Sequence, residues 1–334
     1  MDVPDNISIL TTSTSNTTID SPNLSSVEFS YPFQFWFVLS FEIPSVICYL
    51  FIFIYIFTHK TQRQALHNHS ILVVLLLSFF IVIFGYSSSV NSSHYDGKVW
   101  PATPAFCQIW WLIDFGFFSS STVILAWSSF ERHIFIFHSN LLLTRHKRLL
   151  VHYFPLLFII MYLTIFYIYA IFFPPCENEY DYTSVICAGE PCYYTVISLV
   201  MWDTIVHGII PTCLLVLFNT SLLWRVIWHR HSLHRRPDWK KYRKMTFELL
   251  AIVALYLFFN LPFMMIVFVQ MIGYPDWGVV PERYFLFFST LIQFILPFIF
   301  AAHLPGKWLF IKTIFSKRRR RVAPAIAVTA ANRK

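Results

Sequence analysis

Three carboxylates stand inside long apolar runs of this chain: Glu42, Asp114 and Asp203. A carboxylate in such surroundings is costly unless it meets a donor, a cation or a wet cavity, so each one marks a place where positive charge can be held. Trp110, Trp111, Phe115 and Phe118 lie within four residues of Asp114, and Phe259 and Phe263 lie in a later run. Aromatic faces beside a carboxylate suit a cationic group, although in a chain with 37 Phe such rings more often serve packing. The other reading of Asp114 is a carboxylate satisfied by neighbouring hydroxyls such as Ser119 or Ser120. Asp203 and His207 are four residues apart, hence on one face of a helix. Glu131-Arg132-His133 ends the same run that holds Asp114, and the 18 residues from Asp114 to Arg132 make about five helical turns, so the two share a face. No apolar run contains a Lys, which excludes a retinal Schiff base. No GxSxG sequence or paired metal ligands occur in these runs, so no catalytic, metal or cofactor site is expected. His229, His231 and His234 fall in a basic stretch and read as a solvated cationic segment.

Those residues can be positioned only by elements that tolerate lipid. The chain is 57% hydrophobic, 19% aromatic and 13% charged, against roughly 25% charged in an ordinary soluble domain. A soluble protein of this composition could not cover its surface. Seven apolar stretches, at about 33–57, 70–88, 104–133, 149–173, 195–228, 245–272 and 284–303, each approach or exceed the ~20 residues of a spanning helix. The expected fold is therefore an all-α membrane protein, a seven-helix transmembrane bundle. The third, fifth and sixth spans are longer than a bilayer demands and should tilt or project. All of the 25 Lys and Arg residues except Lys98 and Arg283 fall in the first, third and fifth connections, at the span ends that border them, or after the last span. That asymmetry places the N-terminus outside and the C-terminus in the cytoplasm. The formal charge of +8 accordingly points to lipid headgroups and not to nucleic acid.

Three segments follow: a tail over 1–32, the spanning domain over 33–303, and a basic segment over 304–334. The tail is rich in Ser, Thr and Asn and has no Lys or Arg, so it reads as disordered and extracellular, with no cleavable signal peptide. Asn6, Asn16 and Asn23 there, and Asn91 after the second span, fit the N-glycosylation triplet; Asn68 and Asn219 fit it too but fall inside or within the membrane. Lys307 to Phe315 alternates basic and bulky apolar residues as a short amphipathic membrane-surface helix would, and the run Lys317–Arg321 should meet anionic headgroups. Cys48 and Cys213 lie within spans and read as inert core thiols, whereas Cys107, Cys176, Cys187 and Cys192 face the oxidising side, where four cysteines allow three pairings.

These spacings resemble the rhodopsin-like (class A) family of G protein-coupled receptors. Cys107 stands at the outer end of the third span, and the acid-Arg pair with His133 follows 25 residues on. Pro211, Pro262 in Phe259-Asn-Leu-Pro262, and Leu296-Pro297 match the prolines of the family's fifth, sixth and seventh helices. The resemblance implies a bridge from Cys107 to the loop holding Cys187, leaving Cys176 and Cys192 for a second. It implies an extracellular ligand contacting the stretches of Asp114, Phe115, Phe118, Asp203, His207 and Phe263, and a heterotrimeric G protein as cytoplasmic partner. It also implies that Arg132 pairs with Glu131 at rest and turns to the G protein on opening, with Pro211, Pro262 and Pro297 as pivots. The chain departs from the family pattern at His133 in place of Tyr, Asn260 in place of Trp, Ser78 in place of the second-helix Asp, and a seventh helix without the usual Asn and Tyr. Without that Asp and Asn the family's internal sodium site is not expected.

The implied function is a plasma-membrane receptor for a small amine or peptide. Two other readings stand beside it: a transporter or channel using Glu42, Asp114 and Asp203 as an ion path, and a receptor fold that does not couple. Transporters typically carry internal repeats with Gly/Pro-broken helices. No repeat is visible in this chain, and it has only 8 Gly.

Overall fold

The computed structural model describes residues 30–137 except 96, and residues 144–183, 187, 191–233 and 250–304. Among the described residues, seven helices are long and apolar enough to cross a membrane: α1 Tyr31–Thr58, α2 Asn68–His94, α3 Pro104–Phe135, α4 Arg145–Phe172, α5 Ile197–Arg225, α6 Leu250–Met271 and α7 Val279–Ala302. No strand occurs among the described residues. The amphipathic helix expected after the seventh span, the basic run at Lys317–Arg321, the histidines at 229, 231 and 234, and Asn6, Asn16 and Asn23 lie outside the described residues or side chains.

Each helix divides into a lipid face and a bundle face by spacing alone. On α4, Phe154, Leu157, Phe158, Met161 and Ile165 are exposed at i, i+3, i+4, i+7 and i+11, while Leu156, Leu163, Tyr167, Ala170 and Ile171 are buried. Both faces are apolar because lipid, not water, lies outside. α3 is the most enclosed span, packing on α2, α4 and α5, while α1 packs against α2 and α7. At 32 residues α3 is about 48 Å long, well beyond the ~30 Å hydrocarbon core. Its two ends, with Cys107 at one and Arg132 at the other, give the bundle its two faces.

Several boundaries differ from the sequence reading. α2 runs to His94, because the Ser/Asn-rich stretch Ser87–His94 continues as helix, and Asn91 therefore sits in a helical turn. α7 starts at Val279, just after Gly278 at φ +73°, a conformation that glycine adopts without steric cost. Glu282 lies in its first turn, where it accepts a hydrogen bond from Gln270 Nε2 of α6 at 2.6 Å.

Five spans contain a wide π-helical turn: Ile81–Tyr86 in α2, Leu112–Phe117 in α3, Leu149–Tyr153 in α4, Asp203–Ile209 in α5 and Tyr256–Asn260 in α6. Three of them immediately precede Pro155, Pro211 and Pro262. A proline lacks an amide hydrogen and clashes with the carbonyl of the preceding turn, so the backbone widens there. Pro297, by contrast, sits inside an unbroken α7. The remaining two wide turns contain Gly85 and Gly116, and the turn in α3 carries Asp114.

Candidate functional site

At the Cys107 end, disulfides join Cys107 to Cys187 and Cys176 to Cys192. Together they fold the connection between α4 and α5 onto the bundle. Val99 N–H donates to the Tyr182 carbonyl at 2.9 Å, and Cys192 N–H to Asn178 Oδ1 at 2.9 Å. Beneath this cover lies a second core of Cys107, Trp110, Trp111, Leu163, Tyr167, Ile171 and Tyr193. Trp110 and Trp111 are buried in it, with Trp111 stacked on Tyr180 at 5.5 Å, so these two indoles pack under the loop.

Asp114 lies below this layer, half-buried, in the wide turn of α3. Its Oδ1 faces Gly85 of α2, where an added Cβ would sit 3.8 Å away. Among the described residues no protein donor bonds its carboxylate, and neither Ser119 nor Ser120 reaches it. Ser121 and Thr122 instead donate to the Phe118 carbonyl of their own helix. Phe115 meets Tyr194 at 5.5 Å, Phe118 packs against the main core, and Phe263 is partly buried on α6.

Asp203 and His207, expected on the sequence to face a ligand, hold protein partners in the structure. Asp203 accepts from Tyr167 Oη at 2.6 Å, Tyr193 Oη at 2.9 Å and His207 Nδ1 at 2.8 Å. His207 Nε2 meets Tyr162 Oη at 2.9 Å, and that oxygen accepts from Trp202 Nε1 at 2.8 Å. Both residues are buried, and the network fastens α5 to α4 and to the turn at Cys192–Thr195. Glu42 is also buried and accepts a hydrogen bond from Ser87 of α2. Two of the three membrane acids thus have protein partners, which weakens their reading as an ion path. Cys213, expected in the core, is exposed on the outside of α5.

At the other end, Glu131 and Arg132 are both buried. The resemblance implied that they pair with each other. Instead Glu131 Oε2 accepts from Ser70 Oγ at 2.8 Å and Glu131 Oε1 meets His152 Nδ1 at 2.7 Å. Both carboxylate oxygens are thereby committed to α2 and α4. His152 stands one helix away on α4, which sequence reading did not single out. His133 donates from Nε2 to the Phe218 carbonyl of α5 at 2.7 Å.

Between the two ends the bundle carries neutral polar groups. Asn260 Nδ2 donates to Thr212 Oγ1 at 2.8 Å, tying α6 to α5 beside Pro262 and Pro211. Tyr49 Oη donates to the Gln293 carbonyl, and Ser45 Oγ to the Phe294 carbonyl, joining α1 to α7. The side-chain atoms Ser78 Oγ, Tyr256 Oη, Asn260 Oδ1 and both amide atoms of Gln293 are buried without a protein hydrogen bond. Among the described residues no group of three or more His, Cys, Asp or Glu is arranged to hold a metal ion.

A comparison with curated proteins found no match. The family model of the 7 transmembrane receptor (rhodopsin family) matches residues 88–299, from the end of α2 through most of α7. Seven spanning helices, a bridge from the head of α3 to the connection before α5, and an acid-Arg pair at the far end of α3 accompany that match, and the chain belongs to the rhodopsin family of seven-transmembrane receptors.

Proposed function

We propose that the protein is a plasma-membrane receptor that binds a cationic ligand, a small amine or the basic end of a peptide, at Asp114 and engages a heterotrimeric G protein around Arg132. In this reading the N-terminus and the Cys107 end are extracellular and the Arg132 end is cytoplasmic. The observation that carries it is the contrast between carboxylates. Asp203 is taken by three donors and Glu131 by two residues, whereas Asp114 has no protein donor among the described residues. A carboxylate left open toward the bundle interior favours a ligand that brings its own positive charge. Asp114 and Arg132 share one helix, and Asn260, Thr212 and the wide turns before Pro211 and Pro262 supply the adjustable joint between α5 and α6. A ligand shifts the receptor only to the extent that it binds the open arrangement more tightly.

The test is a screen of amines and basic peptides in cells carrying reporters for several G protein subtypes, with Arg132→Ala beside wild type. The reading requires at least one agonist whose response disappears in Arg132→Ala while its binding stays measurable. Binding without any reporter response in wild type would point instead to a receptor fold that does not couple.

A further inference from the structure

At the Arg132 end three contacts run in series. His152 Nδ1 meets Glu131 Oε1 at 2.7 Å, His152 Nε2 meets His69 Nδ1 at 3.3 Å, and His69 Nε2 meets the Arg63 carbonyl at 3.1 Å. Each contact needs one hydrogen between its two heavy atoms. The Arg63 carbonyl can only accept, and so can an ionised Glu131. Three contacts therefore need three hydrogens, and two neutral imidazole rings carry two. Placing a proton on Glu131 moves the third hydrogen along the line without changing the count. For all three contacts to be direct hydrogen bonds, Glu131, His152 and His69 together hold three, the outermost at the exposed link to Arg63.

We propose that this line is a proton-binding site, in which one proton beyond an ionised Glu131 and two neutral histidines closes the chain and ties α2, α3 and α4 together. Ser70 Oγ, donating to Glu131 Oε2 at 2.8 Å, completes the carboxylate from α2. Glu131 and His152 are essentially sealed, at 1% and 0% exposure, so water cannot easily supply a missing hydrogen. At this end of the packed elements the other described charged and titratable side chains are Lys60 and Arg63 before α2, Arg132 and His133 on α3, and Arg145, His146, Lys147, Arg148 and Tyr153 on α4. Most are cations, which oppose the extra proton; the buried Glu131 carboxylate favours it.

The Asp203 network serves as an internal contrast. There His207 Nε2 meets a tyrosine hydroxyl, which can donate, so that network closes with a neutral histidine. The inner line ends on a carbonyl and cannot. Loss of its proton leaves two lone pairs facing each other at one link, and rising pH therefore loosens the α2–α3–α4 junction beside Arg132.

The test uses full-length protein in lipid nanodiscs. In His69→Gln the amide N–H can donate to His152 Nε2, so the link survives with a neutral His152 and the demand for a third hydrogen disappears. If the native state holds this proton and the unfolded chain releases it, stability falls as pH rises. Thermal unfolding across the neutral range should show that fall in wild type, with a slope about one proton steeper than in His69→Gln. At neutral pH wild type should show either an imidazolium, with hydrogen on both ring nitrogens, in nitrogen-15 spectra of labelled histidine, or a protonated Glu131 carboxyl in its infrared spectrum, and the variant should show neither. Equal slopes for the two proteins, or neutral histidine tautomers together with an ionised Glu131 carboxylate in the infrared spectrum of wild type, would overturn the proposal. Should His69→Gln fail to fold, the wild-type spectra alone still decide.

Discussion

A single carboxylate in this bundle behaves according to the donors around it. Asp203 receives three hydrogen bonds, from Tyr167, Tyr193 and His207. Bonds to a charged acceptor contribute about 1.5–3 kcal/mol each, and removing the charge leaves buried donors poorly matched. Asp203→Asn is therefore expected to lower the thermal unfolding temperature and the surface level while leaving agonist potency nearly unchanged. A tenfold potency loss at normal stability would return Asp203 to the ligand site that its position in α5 suggested. The spacing of Asp203 and His207 on one helix face was legible in the sequence, but their occupants were not. Tyr167 and Tyr162 lie 36 and 45 positions from their partners, and with 17 Tyr in the chain only the rotation of α4 decides which one arrives. His152 reached Glu131 unforeseen for the same reason. For Asp114 the hydroxyl-bonded alternative depended on near neighbours, and Ser119 and Ser120 do not bond it; its contact with ligand is the proposal made above.

At the scale of elements, the length and apolarity of the runs marked all seven helices, because lipid demands both in every span. Their ends were less legible, since the polar stretch Ser87–His94 and the charged start of α7 continue as helix beyond the apolar core. The joint between α6 and α7 and the rest of the bundle holds buried polar atoms without protein partners, including both amide atoms of Gln293. An unsatisfied buried polar group costs about 1–3 kcal/mol, whereas an apolar side chain of similar volume costs nothing of the kind. Gln293→Leu should therefore stabilise the described arrangement, raising the unfolding temperature by a few degrees. The Tyr49 bond should survive, because it goes to the Gln293 backbone carbonyl. A marked drop in stability would mean that the amide has hydrogen-bonding partners not supplied by this arrangement of the chain.

The whole molecule places an open carboxylate near one end of α3 and the buried Glu131 and Arg132 at the other, with wide turns in the neighbouring spans. Its orientation is checked by epitope tags: one at the N-terminus should be reachable on intact cells and one after Lys334 only after permeabilisation, and equal access to both would break the seven-span topology. Membership of the rhodopsin family makes signalling between the two faces the natural use of this layout. The most direct measurement is agonist potency in Asp114→Asn, which keeps the shape and removes the charge, with Arg132→Ala as its counterpart. For a cationic agonist, potency should fall about tenfold or more in Asp114→Asn, the loss of a charge-assisted bond worth ~1.5–3 kcal/mol, with surface expression retained. Arg132→Ala should abolish signalling and leave binding intact. Unchanged potency in Asp114→Asn together with failure to fold would make Asp114 a structural residue and contradict the account.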